Sequence, residues 1–202
     1  AGDHPVPGVR SLAAGAALLR FLDALPAGLA VRVLVSGGAS SLVEHPLPGV
    51  TLAHLQALNV WAHRHDVPIT TLNALRRRLS ALKGGRLAAR LHGRDARALV
   101  LSDVPGDDPR VVGSGLVAAP PAEAALPPDL PESLARLFVP RETPPSATLP
   151  FTVVGCLTDA IDAIEARAST LGLRVMRWPS RLDGAAEEVG ATLAKALVAN
   201  DV

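Results

Sequence analysis

The 202-residue chain contains one cysteine, Cys156, which excludes an internal disulfide and any cysteine-rich zinc site. So few thiols suit a reducing compartment, and a cytoplasmic location is expected. Aromatic residues are scarce as well: there is no tyrosine, and only two tryptophans and three phenylalanines. A nucleic-acid surface built on Arg76, Arg77 and Arg78 would therefore lack rings on which to stack bases. Nor does one sign of charge prevail. The formal net charge is +1, so no global field points to nucleic acid or to a membrane surface. No apolar run reaches the roughly 18 residues needed to span a bilayer, and the opening AGDHPVPG lacks the charged-then-apolar order of a secretory signal. Lysine is nearly absent: Lys83 and Lys195 stand in a set of 20 basic residues. A lysine retained at Lys83 in so arginine-rich a chain marks that position. The chain ends on a helical pattern at Val202, which is expected of a piece of a longer product.

What is present is an apolar half, 49% of the residues, enough for one substantial core. The stretch SLAAGAALLRFLDAL places leucine and alanine at helical spacing behind a capping serine, and Pro26 to Gly28 stops it. Residues 30–35 form a short β-branched run suited to a buried parallel strand. Thr51 caps one helix, LAHLQALNVWAHRHD, and Thr70 or Thr71 is expected to cap the next, LNALRRRLSAL. A helical stretch RLAARLHG follows, then a second strand, ARALVL. Residues 118–150 are dense in proline around one short helix, SLARLFV, and read as a connection or lid outside the core. Beyond them, FTVVGC and LRVMRW read as strands, and LTDAIDAIEARASTLG and GAAEEVGATLAKALVAN as helices. Alternating strands and helices predict an α/β fold: a three-layer, Rossmann-like, mostly parallel sheet with flanking helices.

Three loops carry candidate chemistry. In SGGASS, Ser36, Gly37, Gly38 and Ser40 leave a strand and enter a helix. Such a turn serves either close packing or an anion cradle of backbone N–H groups. It lacks the Gly-Lys-Ser/Thr ending of a Walker A loop. It is also short of the final glycine of a hydrolase elbow, which leaves a nucleophilic Ser40 with little support. In SDVPGDDP, Asp103, Asp107 and Asp108 offer oxygen ligands that suit Mg²⁺ beside substrate phosphates, or else form a solvated turn. In NALRRRLSALKGG, Asn73, Arg76 and Ser80 fall on neighbouring helix faces, with Lys83, Gly84 and Gly85 at the break that follows. That face is either a solvated basic stripe or an anion site with a second phosphate rest at the glycines. The six histidines show no metal-binding spacing, and Trp61 and Trp178 suit core or cleft-edge packing.

Four stretches, HPVP, LVSGGAS, N-x-x-R-x-x-L-S-A-L-K-G-G-R-L-A and SDVPGDDP, resemble in order and spacing the glycerate 2-kinase family, which includes proteins with a MOFRL domain. A weaker likeness continues through GCLTDAIDAIEARASTLG and LDGAAEEVG. The resemblance implies transfer of the ATP γ-phosphoryl group, with a divalent metal, to the 2-hydroxyl of D-glycerate, in a cleft between a Rossmann-like domain and a second domain. It implies that Ser36, Gly37, Gly38, Ser40, Gly84 and Gly85 hold phosphate, Asn73 and Ser80 meet substrate, Arg76 and Lys83 stabilise the transferring group, and Asp103 with Asp107 or Asp108 holds Mg²⁺. The implied partners are D-glycerate and a C-terminal domain; a homodimer is allowed, and neither nucleic acid nor membrane is expected. This chain resembles the latter part of the large domain, without the family's first glycine-rich strand segment. It departs from the family pattern with SGGAS for SGGGS, RRRLS for RKHLS, SGLV for SGPT and Cys156-Leu157 for Ser-Asn. Those departures motivate an alternative, a non-catalytic relative that binds nucleotide or serves as a scaffold.

Overall fold

The computed structural model describes residues 2–120, 125–138, 144–178, 182 and 184–199. Parts of the proline-rich connection, Val139 of SLARLFV, Asp183 of LDGAAEEVG and Asn200 at the end of the last expected helix lie outside the described residues. The chain divides into two compact units, residues 1–160 and 161–202.

In the first unit, helix α1 (Val9–Asp23) precedes strand β1 (Val31–Val35), the single-turn helix α2 (Ala39–Leu42), α3 (Leu52–Arg64), α4 (Ile69–Leu79), α5 (Arg86–Arg90) and strand β2 (Ala96–Leu101). After a short helix α6 (Glu132–Ala135) come strand β3 (Phe151–Gly155) and helix α7 (Leu157–Thr170), which continues into the second unit. The strands pair in the order β1-β2-β3 and all run parallel, with Leu34 opposite Leu99 and Leu99 opposite Thr152. Parallel pairing needs a crossover between strands, and the helices supply it. The fold is thus α/β with a parallel sheet flanked by helices, as the alternation predicts.

Most elements arise where the local signals place them. Thr51 Oγ1 accepts the His54 N–H at 3.2 Å and caps α3. Helix α4, in contrast, begins at Ile69 behind Pro68, so neither Thr70 nor Thr71 caps it. Proline at that position loses no hydrogen bond, because the first helical N–H groups have no acceptor within the helix. Helix α1 starts two residues before its expected cap. Ser11 sits inside the first turn, where its Oγ accepts N–H groups from Gly8 and Asp3 at 3.2 and 2.9 Å.

Two apolar cores form. One packs Leu19 and Leu22 of α1, Leu87 and Ala88 of α5 and Leu91 just after it under Ala96, Ala98 and Val100 of β2. On the opposite face of the sheet Leu34, Leu101 and Val154 are exposed. The second core packs Leu58 and Trp61 of α3 and Leu75 and Leu79 of α4 against Leu130, Leu134, Leu137 and Phe138. The proline-rich segment is therefore part of a core rather than a lid: its short helix buries apolar side chains that α3 and α4 would otherwise expose to water.

The second unit contains the rest of α7, a turn at Gly172 and helix α8 (Ala186–Ala199). Arg177 donates to Asp162 and Glu165 at 2.6 and 2.5 Å, while Ile161, Ile164, Met176 and Trp178 line a shallow groove. Residues 173–178 form no strand, correcting the expectation for LRVMRW. Neither α7 nor α8 contains a buried residue. No helix among the described residues is long and apolar enough to cross a membrane.

Candidate functional site

The parallel order brings the carboxyl ends of β1 and β2 side by side, where ligands of open α/β sheets bind. The turn after β1 presses on the loop after β2 so closely that a Cβ on Gly37 would lie 2.1 Å from Asp103 Oδ2. Gly38 has φ +77°, which favours glycine, and its Cα side faces the His4 imidazole at van der Waals distance. Helix α2 behind the turn has only four residues. The expected cradle therefore has little macrodipole behind it, and rests on its own N–H groups.

From this turn a polar chain runs inward. Ser40 Oγ and Ser114 Oγ share a 2.7 Å hydrogen bond, and Ser114 Oγ donates to Asn73 Oδ1 at 3.1 Å. A hydroxyl has one proton, so Ser40 is the donor in the first bond. Arg76 donates from one terminal nitrogen to Asn73 Oδ1 at 3.2 Å and from the other to Asn59 Oδ1. Its Nε is buried without a partner, and Arg76 forms no ion pair among the described residues. Burial weighs against the charge of Arg76, while the Glu44 carboxylate favours it through space. Arg76 and Asn59 reach a cleft of about 490 Å³ whose other walls include His63, Val60, Leu72 and Pro5. Ser40, Asn73 and Arg76 are thus assembled in one place. Asn59 and Ser114 join them without having been singled out in the sequence. Ser114 had one signal, since it lies between Gly113 and Gly115 in a run of positive φ.

Lys83 and Ser80 are instead engaged by a buried acid. Lys83 is fully buried and its Nζ donates to Glu44 Oε2, while Glu44 Oε1 accepts Ser80 Oγ at 2.6 Å and the His45 N–H at 2.9 Å. Burial pushes the Lys83 ammonium below its ordinary pKa and the nearby Arg76 adds to that, with Glu44 opposing both. The ammonium expected to meet phosphate is therefore engaged by a carboxylate. Gly84 and Gly85 differ from expectation in the same way. Their N–H groups donate to the carbonyls of Ser114 and Gly115 at 3.2 and 2.6 Å, and a Cβ on Gly85 would lie 2.3 Å from Ala147 O. This bend is a packing device, filled by the protein's own backbone, rather than a phosphate rest.

The aspartate loop forms a tight turn, the second of its two readings. Asp108 is held by Arg110, whose Nε lies 2.8 Å from Oδ1 and whose terminal nitrogen lies 2.7 Å from Oδ2. Hydrogen bonding from Arg110 keeps this carboxyl below the usual carboxylate range. Asp107 adopts φ +52° at the tip of the turn. Among the described residues no three His, Cys, Asp or Glu side chains come together to hold a metal. Asp103, Asp107 and Asp108 thus form no metal site complete in protein ligands; a Mg²⁺ bound there would take one or two of these carboxylates together with substrate phosphates.

Residues 1–147 match the sequence family described as "Domain of unknown function (DUF4147)". The chain belongs to that family. It is 41% identical to the D-glycerate 2-kinase of Thermotoga maritima over 55% of this chain and 27% of that protein. It is 33% identical to a protein of Agrobacterium vitis described as a putative hydroxypyruvate reductase, over 95% of this chain and 52% of that one. The solved glycerate kinase of Thermotoga maritima has a similar fold, with a TM-score of 0.68 at 29% identity, covering 85% of this chain and 43% of that one. The chain spans about half the length of the curated relatives it matches over its whole extent.

Proposed function

We propose that this DUF4147 chain supplies part of the active site of a kinase that moves the γ-phosphoryl group of ATP to the 2-hydroxyl of D-glycerate, giving 2-phosphoglycerate. The observation that carries the reading is Arg76: a guanidinium held by two neutral carboxamides, paired with no acid among the described residues, at the wall of a cleft. A buried or half-buried cation without a counter-ion favours an anionic ligand. In this reading Arg76, oriented by Asn73 and Asn59, takes the carboxylate of glycerate. The N–H groups of Ser36, Gly37, Gly38 and Ser40 face the phosphates beside Asp103. Catalysis is then mainly positioning and charge neutralisation, as phosphoryl transfer requires. The reaction takes place in the cytoplasm, and a further domain of the protein closes the cleft.

Release of ADP on adding D-glycerate and ATP to the full-length protein, followed by a coupled assay, tests this reading. Turnover that disappears in Arg76→Ala supports it, and no turnover above background from a folded protein rejects it. The relatives described as putative hydroxypyruvate reductases call for a second arm, with hydroxypyruvate and a reduced nicotinamide cofactor. No oxidation of that cofactor is expected, because the turn after β1 lacks the G-x-G-x-x-G spacing of a dinucleotide fold.

A further inference from the structure

The first unit brings two cations close to one buried acid: Lys83 is buried with Glu44, and Arg76 is half-buried, while a third cation, buried Arg86, is engaged by the Arg77 and Ser80 carbonyls. Glu44 and Lys83 have side chains 2% and 0% exposed and form an ion pair. Ser80, which donates to the same carboxylate, is four residues beyond Arg76 at the end of α4. Side chains at that spacing share a helix face, roughly 5–6 Å apart at Cβ. Glu44 thus has two cations within its field, and Arg76 feels its charge while repelling Lys83. A buried carboxylate takes a cationic partner whenever one is in reach, because a lone buried charge is costly. Lys83 is that partner in the structure, and Arg76 is left to two neutral carboxamides. Backbone packing holds the acid in place: the Glu44 N–H donates to Ser11 O at 3.1 Å, and Gly15 of α1 leaves no room for a Cβ beside Glu44 O.

We propose that Lys83 is a positioning residue which engages Glu44 and so keeps that carboxylate off Arg76, leaving Arg76 open to the carboxylate of a small hydroxy acid. The choice of ligand rests on the phosphoryl-transfer reading above; the charge arrangement itself does not. Without Lys83, Glu44 turns to Arg76 and competes with the substrate for the same guanidinium. Lys83 then governs how tightly substrate binds, and contributes little to the bond-making step.

Three forms of the full-length protein test this: wild type, Lys83→Met, and the double variant Glu44→Gln with Lys83→Met, in which both partners are neutral and similar in size. The Arg76 Nε–Hε resonance, assigned by its loss in Arg76→Lys, is followed by ¹⁵N–¹H NMR without ligand, beside kcat and KM for D-glycerate. In Lys83→Met the resonance shifts and KM rises about tenfold with kcat within about threefold, the pattern of lost ground-state binding. In the double variant both return towards wild type. An unmoved resonance in Lys83→Met, or a collapse of kcat that the double variant fails to recover, overturns the proposal. If Lys83→Met does not fold, the double variant decides alone: KM and kcat near wild type support positioning, and a kcat lower by about a hundredfold puts Lys83 in the chemistry and overturns it. If the resonance shifts and returns as expected while wild type never phosphorylates glycerate, the charge arrangement stands and the kinase reading falls.

Discussion

Gly37 and Asp103 touch across the ends of β1 and β2, with room for no side chain between them: an added Cβ would fall 2.1 Å from the carboxylate oxygen. The atom in the way is the end of a side chain, which can rotate aside. Gly37→Ala is therefore expected to move Asp103 out of the turn, lowering kcat about tenfold or more while changing Tm by only about 2 °C. Kinetics beside thermal unfolding check it, and a large loss of stability with activity intact would contradict it.

Gly85 should behave in the opposite way. Its φ is +78° and a Cβ would meet backbone atoms of Ala147 and Ala119, at 2.3 and 2.7 Å, which have no rotamer to yield. Gly85→Ala is expected to cost about 2 kcal/mol or more in urea unfolding, from backbone strain and overpacking together.

The chain from Ser40 through Ser114 to Asn73 predicts coupling. Ser114→Ala removes one hydroxyl that serves both neighbours, so a loss of about 1 kcal/mol of stability is expected along with weaker D-glycerate binding. Ser40→Ala added to Ser114→Ala should cost less than the sum of the single changes, because the shared bond can be lost only once. A double-mutant cycle by denaturant titration measures the difference, and strict additivity would count against the chain.

Asp108 gives a pH prediction. Its carboxyl lies below the ordinary value because Arg110 bonds to it. The stabilisation it contributes is thus fully present above the unfolded value of about 3.9 and is lost as pH falls through the lower folded value. Arg110→Ala should return the Asp108 midpoint upward towards about 3.9 in an NMR titration. A midpoint that stays low would assign the shift to something other than Arg110.

Leu134 distinguishes core from lid. It is buried against the α3 and α4 cluster, so Leu134→Ala should cost about 2–4 kcal/mol. A residue of a detachable flap would cost almost nothing.

Much of the backbone plan was legible from the residues alone. The strand at Ala96–Leu101 and the helix behind Thr51 lie where pattern and cap place them, since apolar spacing and a capping hydroxyl are local signals. LRVMRW failed as a strand because its apolar run looks the same whether or not a neighbouring strand supplies hydrogen bonds, and residues 173–178 have none to join. The short helix of the proline-rich segment was found, but its burial was not. A four-residue helix (Glu132–Ala135) shows its apolar side only once α3 and α4 present a surface for it to cover.

The amino-acid sequence by itself determined the order of the elements through the first unit, the positions of the glycine turns and the family to which this protein belongs, because each is written in short stretches of neighbouring residues. Only the tertiary structure decided what the charged and polar groups do. Glu44 is 39 residues from Lys83, and Ser114 is 41 from Asn73. Which cation a buried acid neutralises, and which is left open to a ligand, depends on distances of a few ångströms that only chain folding sets. For that reason Lys83 and Arg76, both read from the sequence as cations awaiting an anion, differ once folded: one already has its counter-ion, and the other faces the cleft.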